Sequence, residues 1–300
     1  MSNTAKTRRG RPAAATTRIR VSDGDELDVW VSGDGDPVVF VHGALTRDLL
    51  EPLAAELAQR DGYQTIRFGR RGHGGRGLPA ERADIPGQAS DVATILDALG
   101  IDRAHVAGHS FGALIALELA TRAPERLRSA ILLEAPLVQT EAMQRELPDL
   151  QEAMSLLATT YTSGDTDGAV ARFWEFTSGL EGAAELIEPA LPDGARALAA
   201  ADLSTWLQVD LPAMGSWMVD PAAVKELTTP IVWIGASDSS PVFGESRALL
   251  QEWLPSTRTA EIAGAGHYFP VLMPAETAAA LDEVLRTLRP AQTGGVRIVP

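Results

Sequence analysis

Short runs of apolar and β-branched residues alternate along the chain with stretches whose apolar positions recur every three or four residues. The runs predict eight strands, at residues 17–21, 27–31, 38–41, 65–68, 105–108, 130–133, 231–235 and 258–262. Helical spacing fills several intervals between them, at 48–60, 92–99, 113–122 and 277–288. Such alternation predicts an α/β fold with a mostly parallel sheet and helices on both faces. The first two strands flank an Asp/Gly turn and are expected to form an antiparallel hairpin.

The alternation stops after residue 136. Residues 137–229 contain no run that resembles a buried strand, and prolines and glycines interrupt their helical patches. We interpret this stretch as a helical cap inserted between two core strands, so that the core consists of residues 17–136 and 230–290. A disordered basic tail, 1–16, and a C-terminal tail, 291–300, are expected at the two ends. The insertion carries 15 acidic and four basic residues, a net charge of −11.

Charge and composition exclude several classes of function. The chain of 300 residues has a net charge of −14, although its first 20 residues carry six bases and no acid. An acidic body of this kind is expected to bind neither nucleic acid nor an anionic membrane surface. No apolar stretch has the length of a secretory signal or a spanning helix, which favours a cytoplasmic location. The absence of cysteine excludes disulfides, thiolate metal sites and a cysteine nucleophile.

The strongest chemical signal is the sequence Gly108-His109-Ser110-Phe111-Gly112, which lies between a predicted strand and a predicted helix. A G-x-S-x-G motif in that context predicts a tight turn that presents the serine hydroxyl at the top of a sheet. Glycines on both sides remove side chains that would collide in the turn. Ser110 is therefore the candidate nucleophile, while His109 is expected to point away from the site.

Two further loops follow strands. His42-Gly43-Ala44 follows the strand at 38–41 and can supply a backbone N–H to a developing oxyanion, together with the N–H of Phe111. Ala44 is the expected donor, or Gly43 if the loop turns one residue earlier, and His42 is interpreted as a structural residue. Near the C-terminus, Gly264-Ala265-Gly266-His267 follows the last strand, and His267 is the candidate base.

Two acids compete for the role of orienting His267. Glu134 ends the strand at 130–133, and Asp238 lies just beyond the strand at 231–235. Both preserve the chain order serine, acid, histidine. We favour Glu134, because a charge that abuts a buried apolar strand needs a partner, but Asp238 stays open.

Together these motifs resemble the α/β-hydrolase superfamily over most of residues 17–290. The resemblance implies an eight-stranded sheet and a helical cap formed by the insertion. Residues 68–74 are similar to the family's D-x-R-G-x-G turn, with Gly69 at the position of the aspartate. The position of Glu134 is similar to that of the triad acid in zearalenone-type lactone hydrolases.

The expected chemistry is cofactor-free and metal-free cleavage of a neutral, fairly hydrophobic ester or lactone through an acyl-enzyme. Thioester hydrolysis, C–C bond hydrolysis and perhydrolysis are compatible with the same residues, and a slow-turnover ligand sensor is the alternative of another class. The substrate and the oligomeric state are not readable from the sequence. Residues expected to line an apolar substrate pocket are Trp174, Trp206, Trp217 and Met154.

Overall fold

A single eight-stranded sheet forms the centre of the molecule. The structure, a computed structural model, describes residues 16–22, 24–80 and 83–288. The predicted tails lie outside these residues except for Thr16, whose N–H donates to Val29 in the sheet at 2.8 Å. The strands, each on a predicted run, are β1 (Thr17–Arg20), β2 (Glu26–Gly33), β3 (Asp36–Val41), β4 (Tyr63–Phe68), β5 (Ala104–His109), β6 (Leu127–Leu133), β7 (Ile231–Ala236) and β8 (Arg258–Ile262).

The sheet is mostly parallel, as predicted. Its strand order is β1-β2-β4-β3-β5-β6-β7-β8, with β2 antiparallel to both β1 and β4 and all other neighbours parallel. The predicted hairpin is confirmed, with Thr17 opposite Val29 and Arg20 opposite Glu26. Because the carboxyl ends of parallel strands meet at one edge of a sheet, the loops after β3, β5, β6 and β7 are neighbours there.

Helices cover both faces of the sheet and confirm the predicted class. Helix α2 (Ile85–Ala98) begins earlier than its apolar spacing indicated, because the Asp84 carboxylate caps it by accepting the N–H of Gly87. Helix α3 (Phe111–Arg122) is buried from Phe111 to Ala120, so it packs as a core element rather than a surface helix. The core helices are α1 (Glu51–Ala58), α2 (Ile85–Ala98), α3 (Phe111–Arg122), α10 (Pro241–Trp253), α11 (Phe269–Leu272) and α12 (Pro274–Leu288).

The insertion, residues 137–229, is described throughout and contains helices but no strand. No helix in the described part of the chain is long and apolar enough to cross a bilayer. Two acids of the insertion, Asp202 and Asp210, are buried, so its negative charge is not all at the surface. Its elements are α4 (Glu141–Thr162), α5 (Thr166–Ser178), α6 (Ala183–Ile187), a 3-10 turn (Glu188–Ala190), α7 (Ala195–Thr205), a π-helical turn (Trp206–Asp210), α8 (Leu211–Ser216) and α9 (Pro221–Lys225).

Candidate active site

Ser110 stands in the strained turn between β5 and α3. Its φ of 52° and ψ of −120° lie in a region that residues other than glycine rarely adopt. A Cβ at Gly108 would lie 2.1 Å from the carbonyl oxygen of Gly112, and one at Gly112 would lie 2.2 Å from that of Val41. The Ser110 N–H donates to the Leu133 carbonyl at 2.9 Å. Glycine at both positions therefore permits the turn, and β6 holds it.

Glu134 and His267 meet beside this turn. The His267 Nδ1–H donates to Glu134 Oε2 at 2.7 Å. The same carboxylate accepts the Ser239 hydroxyl at 3.0 Å and the Ala236 N–H at 2.9 Å, and Glu134 is only 1% exposed. The Glu134 φ of 53° bends the chain at the end of β6. Because Nδ1 carries the proton, the Nε2 lone pair is left available as a base.

Asp238 has a different role from the one its position left open. Its side chain is exposed and accepts the Ser237 hydroxyl at 2.7 Å. Its backbone N–H donates to the Ala265 carbonyl at 2.9 Å. The structure thus brings Glu134, not the Asp238 carboxylate, to His267, while the Asp238 main chain holds the loop that carries His267.

The rings of Phe243 and His109 both contact His267. The Phe243 ring stacks on its imidazole, with a centroid distance of 4.3 Å and an interplanar angle of 10°. His109 does not point away from the site as expected: its ring lies 4.5 Å from His267, and its Nε2 is 2.9 Å from the His267 carbonyl oxygen. Burial lowers the pKa of His109 well below its usual value, so it is neutral at pH 7 and donates through Nε2. No local signal in the sequence marked Phe243.

The loop after β3 approaches Ser110 closely. A Cβ at Gly43 would lie 3.1 Å from His109 Nδ1 and 3.3 Å from Ser110 Cβ, so glycine allows this approach. Ala44 and Phe111 line the same cavity as Ser110. Phe111 is the first residue of α3, and its N–H precedes the intrahelical hydrogen bonds. The backbone donors predicted for an oxyanion therefore belong to residues of the Ser110 cavity.

A mostly apolar cavity of about 170 Å³ contains Ser110 and His267. Of the predicted pocket residues, Trp206 and Met154 line it. Among the lining side chains of the described residues, Glu146 is the only carboxylate and there is no lysine or arginine. The apolar lining residues are Ala44, Leu49, Phe111, Pro136, Met143, Leu150, Met154, Phe173, Phe176, Trp206, Met214, Val242 and Phe243.

Trp174 and Trp217, which were also expected to line the pocket, do not line this cavity. The Trp174 Nε1–H donates to the Thr46 hydroxyl at 2.9 Å, and the Trp217 Nε1–H donates to Glu118 at 2.9 Å. A buried indole N–H needs an acceptor, and both find one on the core. These two tryptophans therefore join the insertion to the core.

Residues 38–280 match the sequence model described as "Alpha/beta hydrolase family". The chain belongs to the alpha/beta hydrolase family. This alpha/beta hydrolase is 24% identical to 2-(acetamidomethylene)succinate hydrolase of Mesorhizobium japonicum over 86% of its own length and 91% of the relative's. It is 40% identical to RutD of Azorhizobium caulinodans, named as a carbamate hydrolase, but that match spans 32% of this chain and 40% of RutD.

Solved structures show the same fold. A thermophilic esterase from Thermogutta terrifontis, in a malate-bound form, superposes with a TM-score of 0.73. The match covers 91% of this alpha/beta hydrolase and 99% of the esterase, at 21% sequence identity. The likeness concerns the architecture, since identity at this level does not carry a substrate from one protein to another.

Proposed function

We propose that this alpha/beta hydrolase cleaves neutral, apolar carboxylic esters or lactones through a serine acyl-enzyme, without a metal or organic cofactor. The observation that carries the proposal is the hydrogen bond of 2.7 Å between His267 Nδ1 and Glu134, beside a cavity lined by Ser110. Serine is a weak nucleophile until a base takes its proton, and a carboxylate that fixes the imidazole tautomer prepares that base.

The proposed reaction has two halves. His267 Nε2 takes the Ser110 proton as Oγ attacks the carbonyl carbon, and the N–H groups of Ala44 and Phe111 stabilise the oxyanion. The intermediate collapses, the C–O bond to the alcohol breaks, and His267 returns the proton to the leaving oxygen. Water, deprotonated by His267, then attacks the acyl-enzyme and releases the acid, leaving Ser110 protonated. In a lactone the alcohol and the acid leave as one hydroxy acid.

The cavity wall favours neutral substrates. Apolar side chains dominate it, and the insertion, proposed to act as a cap, contributes Trp206 and Met154. A substrate carboxylate would meet Glu146 and no cation among the described lining residues. The relative from Mesorhizobium is named for a succinate derivative, and the described lining residues include no lysine or arginine that would pair with such carboxylates. We therefore place the substrate among neutral esters and lactones.

Two measurements test the proposal. Intact-mass analysis after treatment with a fluorophosphonate should find one adduct on the wild type and none on Ser110→Ala. In the second measurement, with p-nitrophenyl esters of graded acyl length, we expect the wild type to turn over repeatedly. An adduct that persists in Ser110→Ala would refute the nucleophile, and a single stoichiometric burst would favour a ligand sensor instead. Parallel assays with thioesters, with vinylogous diketones and for peracid formation test thioester hydrolysis, C–C bond hydrolysis and perhydrolysis. Faster turnover in any of these assays than with esters and lactones would favour that reaction instead.

A further inference from the structure

We propose that the helical insertion sets the geometry of the oxyanion loop, defined here as residues 42–46. Two sets of buried hydrogen bonds link the insertion to that loop. Asp210 accepts hydrogen bonds from Arg70, which also donates to the Gly43 carbonyl of the loop. Trp174 donates directly to Thr46. The inference rests on the proposed function, because it takes the N–H of Ala44 as an oxyanion donor. It makes Arg70, Asp210 and Trp174 positioning residues.

The orientation of the peptide group between Gly43 and Ala44 determines where the Ala44 N–H points. The Gly43 carbonyl oxygen lies 2.9 Å from Arg70 Nη2 and 2.9 Å from His42 Nδ1. The carbonyl of Gly43 and the N–H of Ala44 belong to the same planar trans peptide, in which they point in opposite directions. Fixing the carbonyl toward Arg70 therefore turns the Ala44 N–H to the opposite side. Ala44 lines the Ser110 cavity, so an N–H fixed in this way is an oxyanion donor.

His42 acts as a second clamp on the same carbonyl. Its Nε2 lies 3.0 Å from the backbone nitrogen of Arg70, whose N–H can only donate. Burial, and then the charge of Arg70, lowers the pKa of His42 well below its usual value, so the ring is neutral. A neutral ring that accepts at Nε2 carries its proton at Nδ1. Hence His42 donates to the Gly43 carbonyl, and that oxygen accepts two hydrogen bonds.

Arg70 is held in turn by the insertion. Its Nη1 and Nη2 donate to Asp210 Oδ1 and Oδ2 at 2.9 and 2.7 Å, and both side chains are only 1% exposed. Burial raises the pKa of Asp210, but the charges and hydrogen bonds of Arg70 and His73 together outweigh burial and hold that pKa below its usual value. The guanidinium also lies 4.6 Å from the Phe111 ring, next to the second proposed donor. Asp210 ends the π-helical turn that begins at Trp206, so one turn contacts both the cavity and Arg70.

The other end of the loop is held from α5. The Thr46 N–H donates to the Ala44 carbonyl at 2.6 Å, and the Thr46 hydroxyl accepts Trp174 Nε1–H at 2.9 Å. Between them, Leu45 has a φ of 59°, in the left-handed region that leucine rarely adopts. Such a turn persists only where surrounding contacts fix it. Contacts from the insertion therefore support the peptide groups on both sides of the Ala44 Cα.

The test uses two variants of the full chain. Trp174→Phe removes the indole N–H and retains an aromatic ring. The double variant Arg70→Met/Asp210→Leu removes both buried charges together, so that neither is left unpaired. The matched control is Arg71→Met/Asp91→Leu, which removes a buried pair from the next residue of the same segment, where Arg71 Nε lies 2.6 Å from Asp91. Circular dichroism and thermal unfolding verify that each variant is folded.

The readout is the affinity of an alkyl trifluoromethyl ketone divided by that of the methyl ketone of equal length, together with kcat and KM for a p-nitrophenyl ester. The fluorinated ketone forms a hemiketal oxyanion with serine, so this ratio reports on the donors rather than on pocket fit. Loss of a whole oxyanion donor lowers kcat by about 10²–10³. For displaced donors we expect the ratio and kcat to fall about 10- to 100-fold in the double variant and about threefold in Trp174→Phe. In both test variants KM should stay within about twofold of the wild type. In the control variant the ratio, kcat and KM should all stay within that range.

A folded double variant that retains the wild-type ratio and kcat would overturn the inference. If the double variant does not fold, Trp174→Phe decides, and an unchanged ratio there would likewise overturn it. A rise in KM alone, with an unchanged ratio of ketone affinities, would mean that these residues act on substrate fit. That result would also overturn the inference. Failure of the proposed function is distinguishable, because the wild type itself would then neither react with the fluorophosphonate nor prefer the fluorinated ketone.

Discussion

Replacing Glu134 by glutamine separates the charge of the proposed triad acid from its shape. The carboxylate accepts three donors: His267 Nδ1–H and the Ser239 hydroxyl at Oε2, and the Ala236 N–H at Oε1. Glutamine offers one oxygen and one NH₂ group in the same space. Its NH₂ must therefore face either His267 or the backbone N–H of Ala236. The Ser239 hydroxyl and the His267 ring can reverse their roles, whereas the Ala236 N–H can only donate.

The magnitude follows from these two arrangements. With the NH₂ toward Ala236, a buried backbone N–H loses its acceptor, which costs roughly 1–3 kcal/mol. With the NH₂ toward His267, the ring keeps its proton on Nε2 and cannot accept one from Ser110. Either arrangement also removes the negative charge that stabilises the imidazolium. The corresponding carboxylate-to-amide change in a serine protease lowers kcat about 10⁴-fold. We expect a fall in kcat of roughly 10³–10⁴, or about 4–5.5 kcal/mol, with little change in KM.

The assay is steady-state turnover of a p-nitrophenyl ester, with Ser110→Ala as the background rate and thermal unfolding as the check on folding. Asp238→Asn is the matched control, because its side chain is exposed and accepts a hydrogen bond from Ser237. We expect this control to retain kcat within about threefold, as surface substitutions have small effects. If Asp238→Asn loses most of its kcat while Glu134→Gln keeps more than a tenth of it, Glu134 is not the acid that orients His267.

Three further predictions follow from the packing, the protonation and the cavity. Gly108→Ala places a Cβ 2.1 Å from a backbone oxygen, so we expect a loss of several kcal/mol in urea unfolding or no folded protein. His109→Gln removes a histidine whose pKa burial depresses. Lowering the pH from 7.5 to 5.5 should therefore destabilise the wild type by about 1.4 kcal/mol more than this variant, because only the unfolded state gains the proton. Glu146→Gln should raise kcat/KM several-fold for an ester with a terminal carboxylate, relative to its methyl ester.

Each of these predictions has a control and a contrary result. Gly215→Ala is the control, because an added Cβ at this helical glycine meets open space, and we expect it to be neutral or stabilising. A Gly108→Ala variant as stable as Gly215→Ala would contradict the geometry of the turn at Ser110. An equal or steeper loss of stability with acid in His109→Gln would show that this histidine is not held neutral. An unchanged preference between the two esters in Glu146→Gln would remove Glu146 from the account of selectivity.

The sequence predicts the sheet well because its signals are local. Runs of apolar and β-branched residues mark all eight strands, and the glycines around Ser110 are needed within a single turn. The choice between Glu134 and Asp238 is not local, since both follow the carboxyl ends of neighbouring strands. What separates them is a backbone bend of φ 53° at Glu134 and a contact with a histidine 133 residues away.

The roles of the tryptophans in the insertion illustrate the same limit. Composition assigns apolar rings to the insertion, but it does not say which indole N–H finds an acceptor on the core and which ring faces the cavity. Trp174 and Trp206 lie on adjacent packed elements and have opposite roles. Likewise, Arg70 and Asp210 are 140 residues apart, and no periodicity links them. Pairs of this kind are determined by tertiary packing and not by local sequence.

The buried pair of Arg70 and Asp210 limits how this enzyme can be re-engineered. A foreign insertion that brings a new pocket wall without an acid opposite Arg70 would leave a guanidinium buried without a counterion. Such a chimaera would lose stability before its selectivity could be measured. Redesign is better directed at the α4 side chains Met143, Leu150 and Met154, which line the cavity. The two parts of the chain are thus not interchangeable modules, and the Arg70–Asp210 pair ties one to the other.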